Sequence, residues 1–217
     1  MSEEPRYIAV EGPIGVGKTS LARRLAESLE YQLVLERAEE NPFLERFYRD
    51  PAGAALPTQL SFLFQRARQV QEMRQEDLFA GGRVADFLLQ KDRIFAQLTL
   101  PDDEYRLYEQ VYQTLALDAP RADLVVYLQA PVEVLLERVR RRGIAFEQGM
   151  RAGYLKRLSE AYMDFFHRYD AGPLLIVNAA AIDPVRNERD YEELLARVRD
   201  IDSGRHYYNP VPFEASE

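Results

Sequence analysis

The chain has 217 residues, no cysteine and a formal net charge of −8 at neutral pH. This length suits one α/β domain over residues 1–217, and the negative charge argues against a general nucleic-acid binder, because binding to a phosphate backbone requires a basic surface. Without cysteine, neither disulfides nor thiolate metal sites can form, and no run of about 18 apolar residues could span a bilayer. We therefore predict a cytoplasmic domain whose partners are small molecules, not nucleic acids or membranes.

The strongest signal lies at residues 7–20, YIAVEGPIGVGKTS, which has the pattern of a buried strand, a glycine-rich turn and a helix start. It satisfies G-x-x-x-x-G-K-[ST], in which glycines let several backbone N–H groups point at one anion. The helix N-terminus adds partial positive charge, Lys18 can reach the β- and γ-phosphates, and the Thr19 hydroxyl can bind Mg²⁺. We predict a site for ATP and Mg²⁺ whose loop residues are Gly12, Gly15, Val16, Gly17, Lys18, Thr19 and Ser20.

Beyond this loop, apolar periodicity predicts alternating helices and strands. Glu36 ends the second strand and Asp86 lies near the end of the third, so both carboxylates fall at the sheet edge where open α/β folds bind ligands. Five apolar strands alternating with helices predict a doubly wound parallel sheet with helices on both faces. The predicted strands are 7–10, 31–35, 84–87, 122–128 and 174–177, and the predicted helices are 18–30, 41–48, 58–79, 91–97, 102–117, 131–142, 152–169 and 188–199.

Two segments are predicted to be irregular. Residues 50–57 contain two prolines and a glycine, which indicates a break before the long helix at 58–79. The tail at 203–217 shows little periodicity and is also predicted to lack regular structure.

The helix at 102–117 has a broad apolar and aromatic surface. Such a surface is more often core than a cofactor site, but its width also suits a helix packed against a second subunit, so we expect a homodimer. The residues concerned are Tyr105, Leu107, Tyr108, Val111, Tyr112 and Leu115.

A cluster of arginines, Arg138, Arg140, Arg141 and Arg142, precedes Gly143. At a helix C-terminus such a cluster complements the helix dipole. Beside a phosphate-binding loop, the better interpretation is a flap, at about residues 138–150, whose arginines close over the transferring phosphate.

Together these motifs resemble the deoxynucleoside kinase family, specifically its deoxyadenosine and deoxyguanosine kinase branch. EGPIGVGKTSLA at residues 11–22 is similar to the phosphate loop of that family, and ENPFLERFY at residues 40–48 is similar to its next segment. The resemblance extends from residue 7 to about 178. It implies a P-loop kinase fold with strand order 2-3-1-4-5, a helical dimer interface, and transfer of the γ-phosphate of ATP to the 5′-hydroxyl of a deoxynucleoside in nucleotide salvage.

The resemblance also implies the catalytic residues. Glu36 matches the acidic residue that contacts the 5′-hydroxyl and is proposed as the general base, and a carboxylate there can accept the hydroxyl proton. Asp86 matches the first acidic residue of the strand-three Asp/Glu-Arg-Ser motif, and Arg138 and Arg142 match flap arginines. The predicted catalytic residues are Glu36, Asp86, Lys18, Arg138 and Arg142, and the predicted metal ligands are Thr19 and Asp86.

Five residues match the substrate-binding positions of the family. Tyr48 and Glu147 match the pair that binds the sugar 3′-hydroxyl. Gln59 matches the amide that contacts the base edge, and Arg66 and Asp92 match the pair that completes base recognition. An amide offers a donor and an acceptor together, and a charged pair can discriminate exocyclic groups. This set and the resemblance predict deoxyadenosine or deoxyguanosine as the preferred substrate, then deoxycytidine, with thymidine last.

The chain departs from the family pattern at three places. Phe87 and Leu88 replace the arginine and serine of the strand-three motif, so the cation expected beside the 5′-hydroxyl must come from elsewhere. Arg37 and Ala38 replace the usual Pro-Val pair, and one explanation is that Arg37 supplies the missing charge. In the flap, Ile144 occupies a position where arginine is usual.

Two alternatives stay open at this point. A nucleoside monophosphate kinase, such as thymidylate kinase, shares the sheet and the flap but needs extra cations for the acceptor phosphate, which Glu36 would repel. A non-catalytic nucleotide-binding subunit would explain the loss of the strand-three arginine and serine. However, such a subunit has no need of Lys18, Thr19, Glu36 and Asp86 together.

Overall fold

The computed structural model describes residues 4–76, 81–115 and 119–210. Within them, all strands lie in one sheet of six, in the order β2-β3-β1-β4-β5-β6, and every neighbouring pair is parallel. The strands are β1 (Tyr7–Glu11), β2 (Gln32–Val34), β3 (Arg83–Ala85), β4 (Leu124–Gln129), β5 (Leu174–Asn178) and β6 (Arg205–Tyr208). The helices are α1 (Lys18–Leu29), α2 (Leu44–Arg49), α3 (Pro51–Glu76), α4 (Asp92–Thr99), α5 (Asp102–Leu115), α6 (Val132–Arg142), α7 (Ala152–Arg168) and α8 (Glu188–Asp200).

The predicted α/β fold and the order of its first five strands are confirmed, but the predicted strand count is wrong by one. The sixth strand, β6, pairs with β5 at the edge of the sheet, so residues 205–208 of the predicted irregular tail are regular structure. Its sequence, RHYY, buries only Tyr208, and an edge strand that buries one side chain has no apolar alternation to reveal it. Residues 211–217 lie outside the described part of the chain.

The predicted break at residues 50–57 is also wrong, because α3 begins at Pro51 and continues through Pro57. Asp50 precedes the helix, and its Oδ1 accepts a hydrogen bond from the backbone N–H of Gly53 at 3.2 Å. A capping carboxylate followed by proline at the first helical position is a start signal, not a break. The predicted end of this helix, at 77–79, and residues 116–117 of the next predicted helix lie outside the described residues.

Pro57 is tolerated within α3 because another group replaces its missing N–H. In a regular helix the N–H of residue 57 would donate to the carbonyl oxygen of Gly53. Here the Arg46 guanidinium, from the end of α2, donates to that oxygen at 2.8 Å. The tight α2–α3 corner therefore supplies the hydrogen bond that proline removes.

Two groups of helices cover the sheet. Strand β1 is buried along its whole length, which in a parallel sheet requires cover on both faces. On one side, α1 packs on β1 and β3, and it meets α8 through the Tyr191 hydroxyl, which donates to Arg24 O at 2.8 Å. The helices α3, α4, α5 and α7 pack with one another as the second group. Among the described residues, no helix is long and apolar enough to cross a bilayer.

We predict that Arg46→Met lowers the free energy of unfolding by about 0.5–1.5 kcal/mol, the usual contribution of one hydrogen bond. In a Pro57→Ala background the same change should cost clearly less, because the N–H of the new residue can take over the Gly53 carbonyl. Urea unfolding of the four proteins in this double-mutant cycle measures the difference. Equal costs in both backgrounds would contradict the explanation.

Candidate active site

A cavity of about 970 Å³ lies at the carboxyl edge of the sheet, between the phosphate loop, α2, α3 and the segment after α6. Ligands of open α/β sheets bind at this edge. Ten of the predicted site residues line the cavity: Gly15, Lys18, Thr19, Glu36, Tyr48, Gln59, Arg66, Asp86, Arg142 and Glu147. The remaining predicted residues, Gly12, Val16, Gly17, Ser20, Asp92 and Arg138, are not among its lining side chains.

The phosphate loop has the backbone that its glycines permit. Gly12 has φ 148°, and a Cβ at this position would lie 2.5 Å from the carbonyl oxygen of Leu128. Gly17 has φ 107° and directly precedes α1. The loop can therefore approach β4 closely and turn its N–H groups toward an anion.

Lys18 lies over its own loop, where its ammonium donates hydrogen bonds to Gly12 O at 2.8 Å and Pro13 O at 3.3 Å. Burial, followed by the nearby charge of Lys91, lowers the pKa of Lys18 to about 8, although Glu11 opposes the shift. The ammonium is therefore mostly protonated at neutral pH, and it can hold phosphate oxygens at the start of α1.

Asp86 connects the phosphate loop to the segment after β2. Its Oδ2 accepts a hydrogen bond from the Thr19 hydroxyl at 2.5 Å, and its Oδ1 accepts one from the Glu36 N–H at 2.7 Å. A hydroxyl and a carboxylate are hard oxygen ligands, and Mg²⁺ usually takes one or two such groups and completes its shell with water and phosphate oxygens. This pair fits that donor set, and no group of three or more His, Cys, Asp or Glu side chains able to enclose a metal occurs among the described residues.

Glu36 faces two cations. The Arg66 guanidinium forms one ion pair with Glu36 Oε1 and another with Asp92 Oδ1. The Lys91 ammonium lies 3.3 Å from Glu36 Oε2. Burial lowers the pKa of Arg66 to about 10, so it carries its charge throughout the physiological range. Both oxygens of Glu36 are thus fixed, while 19% of its side chain stays exposed.

Neither Lys91 nor its second partner, Glu11, was predicted from the sequence as a site residue. Lys91 is 2% exposed, and its ammonium lies 3.6 Å from Oε1 of the fully buried Glu11. By contrast, the Arg37 side chain is 54% exposed and lies 3.7 Å from Glu40. The structure thus places Lys91, not Arg37, against Glu36. The signal in the sequence was weak, because it consists of the apolar Ile94, which lies three positions along at helical spacing.

Tyr48, Glu147 and Arg142 lie together at the sugar side of the predicted site. Arg142 forms an ion pair with Glu147, which belongs to the short 3-10 turn at Ala145–Glu147 that packs against α2. Burial raises the pKa of Tyr48 above its ordinary value, and the nearby Glu147 adds to the shift. Tyr48 is therefore a neutral hydrogen-bonding hydroxyl beside a carboxylate.

The base side of the predicted site combines polar and aromatic groups. Gln59 is buried on α3, and its Nε2 donates to the Thr99 hydroxyl at 3.3 Å. Phe62 and Phe95 also line the cavity, and the Arg66 guanidinium carbon lies 4.8 Å from the centre of the Phe62 ring. Neither ring was predicted from the sequence, although Phe62 follows Gln59 at helical spacing and could have been found from it.

Arg138 does not lie over the cavity but supports the phosphate loop. Its guanidinium donates to Val16 O at 3.0 Å and to Ala179 O, just beyond β5, at 2.9 Å. Of the two arginines predicted to act in the flap, only Arg142 lines the cavity.

Comparison with known proteins finds relatives over most of the chain. Residues 8–202 match the protein family described as deoxynucleoside kinase. The deoxyguanosine kinase of Bacillus subtilis (strain 168) is 32% identical over 200 residues, which is 90% of this chain and 97% of the relative. The deoxyadenosine/deoxycytidine kinase of the same organism is 27% identical over 204 residues, covering 89% and 92%. A solved deoxyadenosine kinase structure from M. mycoides superimposes with a TM-score of 0.79 at 24% identity, covering 90% of this chain and 100% of that one.

We predict that Lys18→Ala lowers the rate of phosphoryl transfer at least about 100-fold, because an ammonium aimed at developing phosphate charge is lost. The melting temperature should change little, since no core volume is removed. Steady-state kinetics with ATP, together with thermal unfolding, measure both effects. The exposed Lys156→Ala is the matched control and should keep wild-type turnover, whereas wild-type turnover in Lys18→Ala would disprove the phosphate-loop assignment.

Proposed function

The chain belongs to the deoxynucleoside kinase family, and we propose that it transfers the γ-phosphate of ATP to the 5′-hydroxyl of a deoxyadenosine or deoxyguanosine. The family match identifies the chain as a phosphotransferase acting on deoxynucleosides. One observation carries the finer proposal: a single cavity joins the phosphate loop at Lys18 to the carboxylate of Glu36 and to the amide of Gln59. A triphosphate, a sugar hydroxyl and a base edge can thus be held together.

In this proposal Glu36 is the general base. As the 5′-oxygen bonds to the γ-phosphorus and the bond from that phosphorus to ADP breaks, the hydroxyl proton passes to the Glu36 carboxylate. A carboxylate has about four lone-pair positions, so its contacts with Arg66 and Lys91 leave room for the substrate hydroxyl. Lys18 neutralises charge on the transferring phosphate, and Mg²⁺ bound at Thr19 and Asp86 would supply further neutralisation of the phosphate oxygens.

The base preference rests on Gln59 and Arg66. Gln59 can offer a donor and an acceptor, while Arg66 offers donors only, which suits a purine with N7 or O6 acceptors. Asp92 pairs with Arg66 and does not itself line the cavity, so it orients that guanidinium. The names of the relatives, which include deoxyguanosine and deoxyadenosine/deoxycytidine kinases, support purines first and deoxycytidine second.

A nucleoside monophosphate kinase is less consistent with this geometry. An acceptor phosphate near Glu36 would need free cations, yet Arg66 and Lys91 are both already paired with carboxylates. The approach of a dianionic phosphate to Glu36 would also be repulsive.

The proposal extends to the setting of the enzyme. We expect Mg²⁺ as the metal, a cytoplasmic location and a homodimer. The dimer would cover apolar side chains on the adjacent helices α3 and α5, where Phe64 is 52% and Leu107 is 49% exposed. Exposed apolar side chains on adjacent helices are typical of subunit interfaces.

We predict that Glu36→Gln lowers kcat on the order of 10²–10⁴-fold while KM for the deoxynucleoside changes much less. The amide still hydrogen-bonds the hydroxyl but cannot take its proton. The exposed Glu45→Gln on α2 is the matched control. If instead KM alone rises, Glu36 is a binding group and Asp86 becomes the better candidate for the base.

We also predict that competition assays rank deoxyadenosine or deoxyguanosine first, deoxycytidine second and thymidine last in kcat/KM. Thymine lacks an exocyclic amine, and a mismatched buried polar contact costs about 1–3 kcal/mol. The double variant Arg66→Met, Asp92→Ala should flatten the ranking, since it removes both partners and leaves neither charge of that pair alone. Thymidine ranked above both purines would refute the assignment.

A further inference from the structure

Lys91 is a buried cation with two carboxylate partners at the floor of the active site. It ends the 3-10 turn that follows β3, and its ammonium lies 3.3 Å from Glu36 Oε2 and 3.6 Å from Glu11 Oε1. A buried ammonium is costly unless it is paired with good geometry. The position of this side chain is therefore specified by the two carboxylates.

Glu11 is the fixed partner of Lys91. Its Oε1 accepts a hydrogen bond from Leu88 N at 2.6 Å, and its Oε2 accepts from Gly12 N at 3.0 Å and from the Tyr162 hydroxyl at 3.2 Å. A carboxylate with three hydrogen bonds and no exposure cannot reorient. Glu11 therefore anchors the ammonium, which in turn contacts the partly exposed Glu36.

We propose that Lys91 is a positioning residue that holds Glu36 in the orientation needed for the nucleoside hydroxyl. This inference rests on the proposed function of Glu36 as the base. Arg66 holds the other oxygen of Glu36 and is shared with Asp92, so Lys91 is the cation facing Oε2 among the described residues. It does not line the cavity, and it acts on the substrate only through Glu36. Lys91 thus supplies the positive charge that is missing at position 87, where Phe87 replaces the arginine of the family motif.

The protonation of Lys91 fits this role. Burial lowers its pKa to about 8, and Arg66 lowers it further while Glu11 and Asp86 oppose the shift. The ammonium is thus mostly charged near neutral pH, so it can pair with the carboxylates of Glu36 and Glu11. The charged groups around the Lys91–Glu36 pair are Glu11 from β1, Lys18 from α1, Arg66 from α3, Asp86 from the segment after β3, and Asp92 from α4.

The test compares the steady-state kinetics of Lys91→Met and Lys91→Arg. We expect Lys91→Met to lower kcat on the order of 10²-fold, with a much smaller change in the KM for deoxyadenosine or deoxyguanosine. Lys91→Arg keeps a cation beside both carboxylates and should restore most of kcat. If Lys91→Met is too unstable for kinetics, Lys91→Gln replaces it with the same expected loss of kcat.

Two controls separate this role from a loss of charge elsewhere. Arg93→Met removes a cation two positions along the chain that pairs with Glu109 outside the cavity, and it should keep the wild-type kcat. Arg37→Met tests the rival source of charge and should also keep the wild-type kcat. An unchanged kcat in Lys91→Met, a loss that Lys91→Arg does not restore, or a loss of kcat in Arg37→Met alone would overturn the proposal. If Glu36→Gln keeps full kcat, the assignment of the base fails; if it loses kcat while Lys91→Met does not, only the role of Lys91 fails.

Discussion

The active site depends on the neutralisation of negative charge at the carboxyl ends of the strands. Glu11, Glu36 and Asp86 each follow or end a strand, and buried carboxylates are stable only when hydrogen bonds or cations compensate them. Backbone N–H groups donate hydrogen bonds to Glu11, while Arg66 and Lys91 form ion pairs with Glu36. Asp86 instead accepts hydrogen bonds from the Thr19 hydroxyl and from the N–H of Glu36. One network thus joins the phosphate loop, the proposed base and the helix that carries Gln59.

Much of the fold could be predicted from local sequence. The pattern at residues 7–20 identified the phosphate loop, and apolar runs located the first five strands, whose correct order was implied by the family resemblance. These features are local, because glycine positions and apolar runs are visible within a few residues. The prediction of a break at residues 50–57 was wrong because of a contact that is not local in the sequence. Pro57 does disrupt a helix on its own, and only a guanidinium from the preceding helix compensates for it.

The candidate site, like the fold, could be predicted from the sequence only in part. Ten of the predicted residues line one cavity, because the motif and the family resemblance fixed their positions in the chain. Lys91 could not be found in this way, because its importance comes from Glu11 and Glu36, which are distant in sequence. A lysine next to an aspartate looks like a solvated pair in a single sequence. Its burial follows from how the turn after β3 packs beneath α3, which is a tertiary property.

The regular course of α3 between Gln59 and Arg66 sets a fixed distance between two parts of the site. Gln59 and Arg66 are seven residues apart on one unbroken helix, which places them about 10 Å apart along its axis and nearly on the same face. Gln59 lies at the proposed base side, and Arg66 pairs with the carboxylate at the proposed hydroxyl side. In the proposed function, the helix therefore fixes the distance between the groups that contact the base and the 5′-hydroxyl. An insertion of one residue between Gln59 and Arg66 would rotate their side chains apart by about 100° and increase their axial separation by about 1.5 Å. The proposed site would then no longer match the size of a nucleoside, although every side chain would still be present.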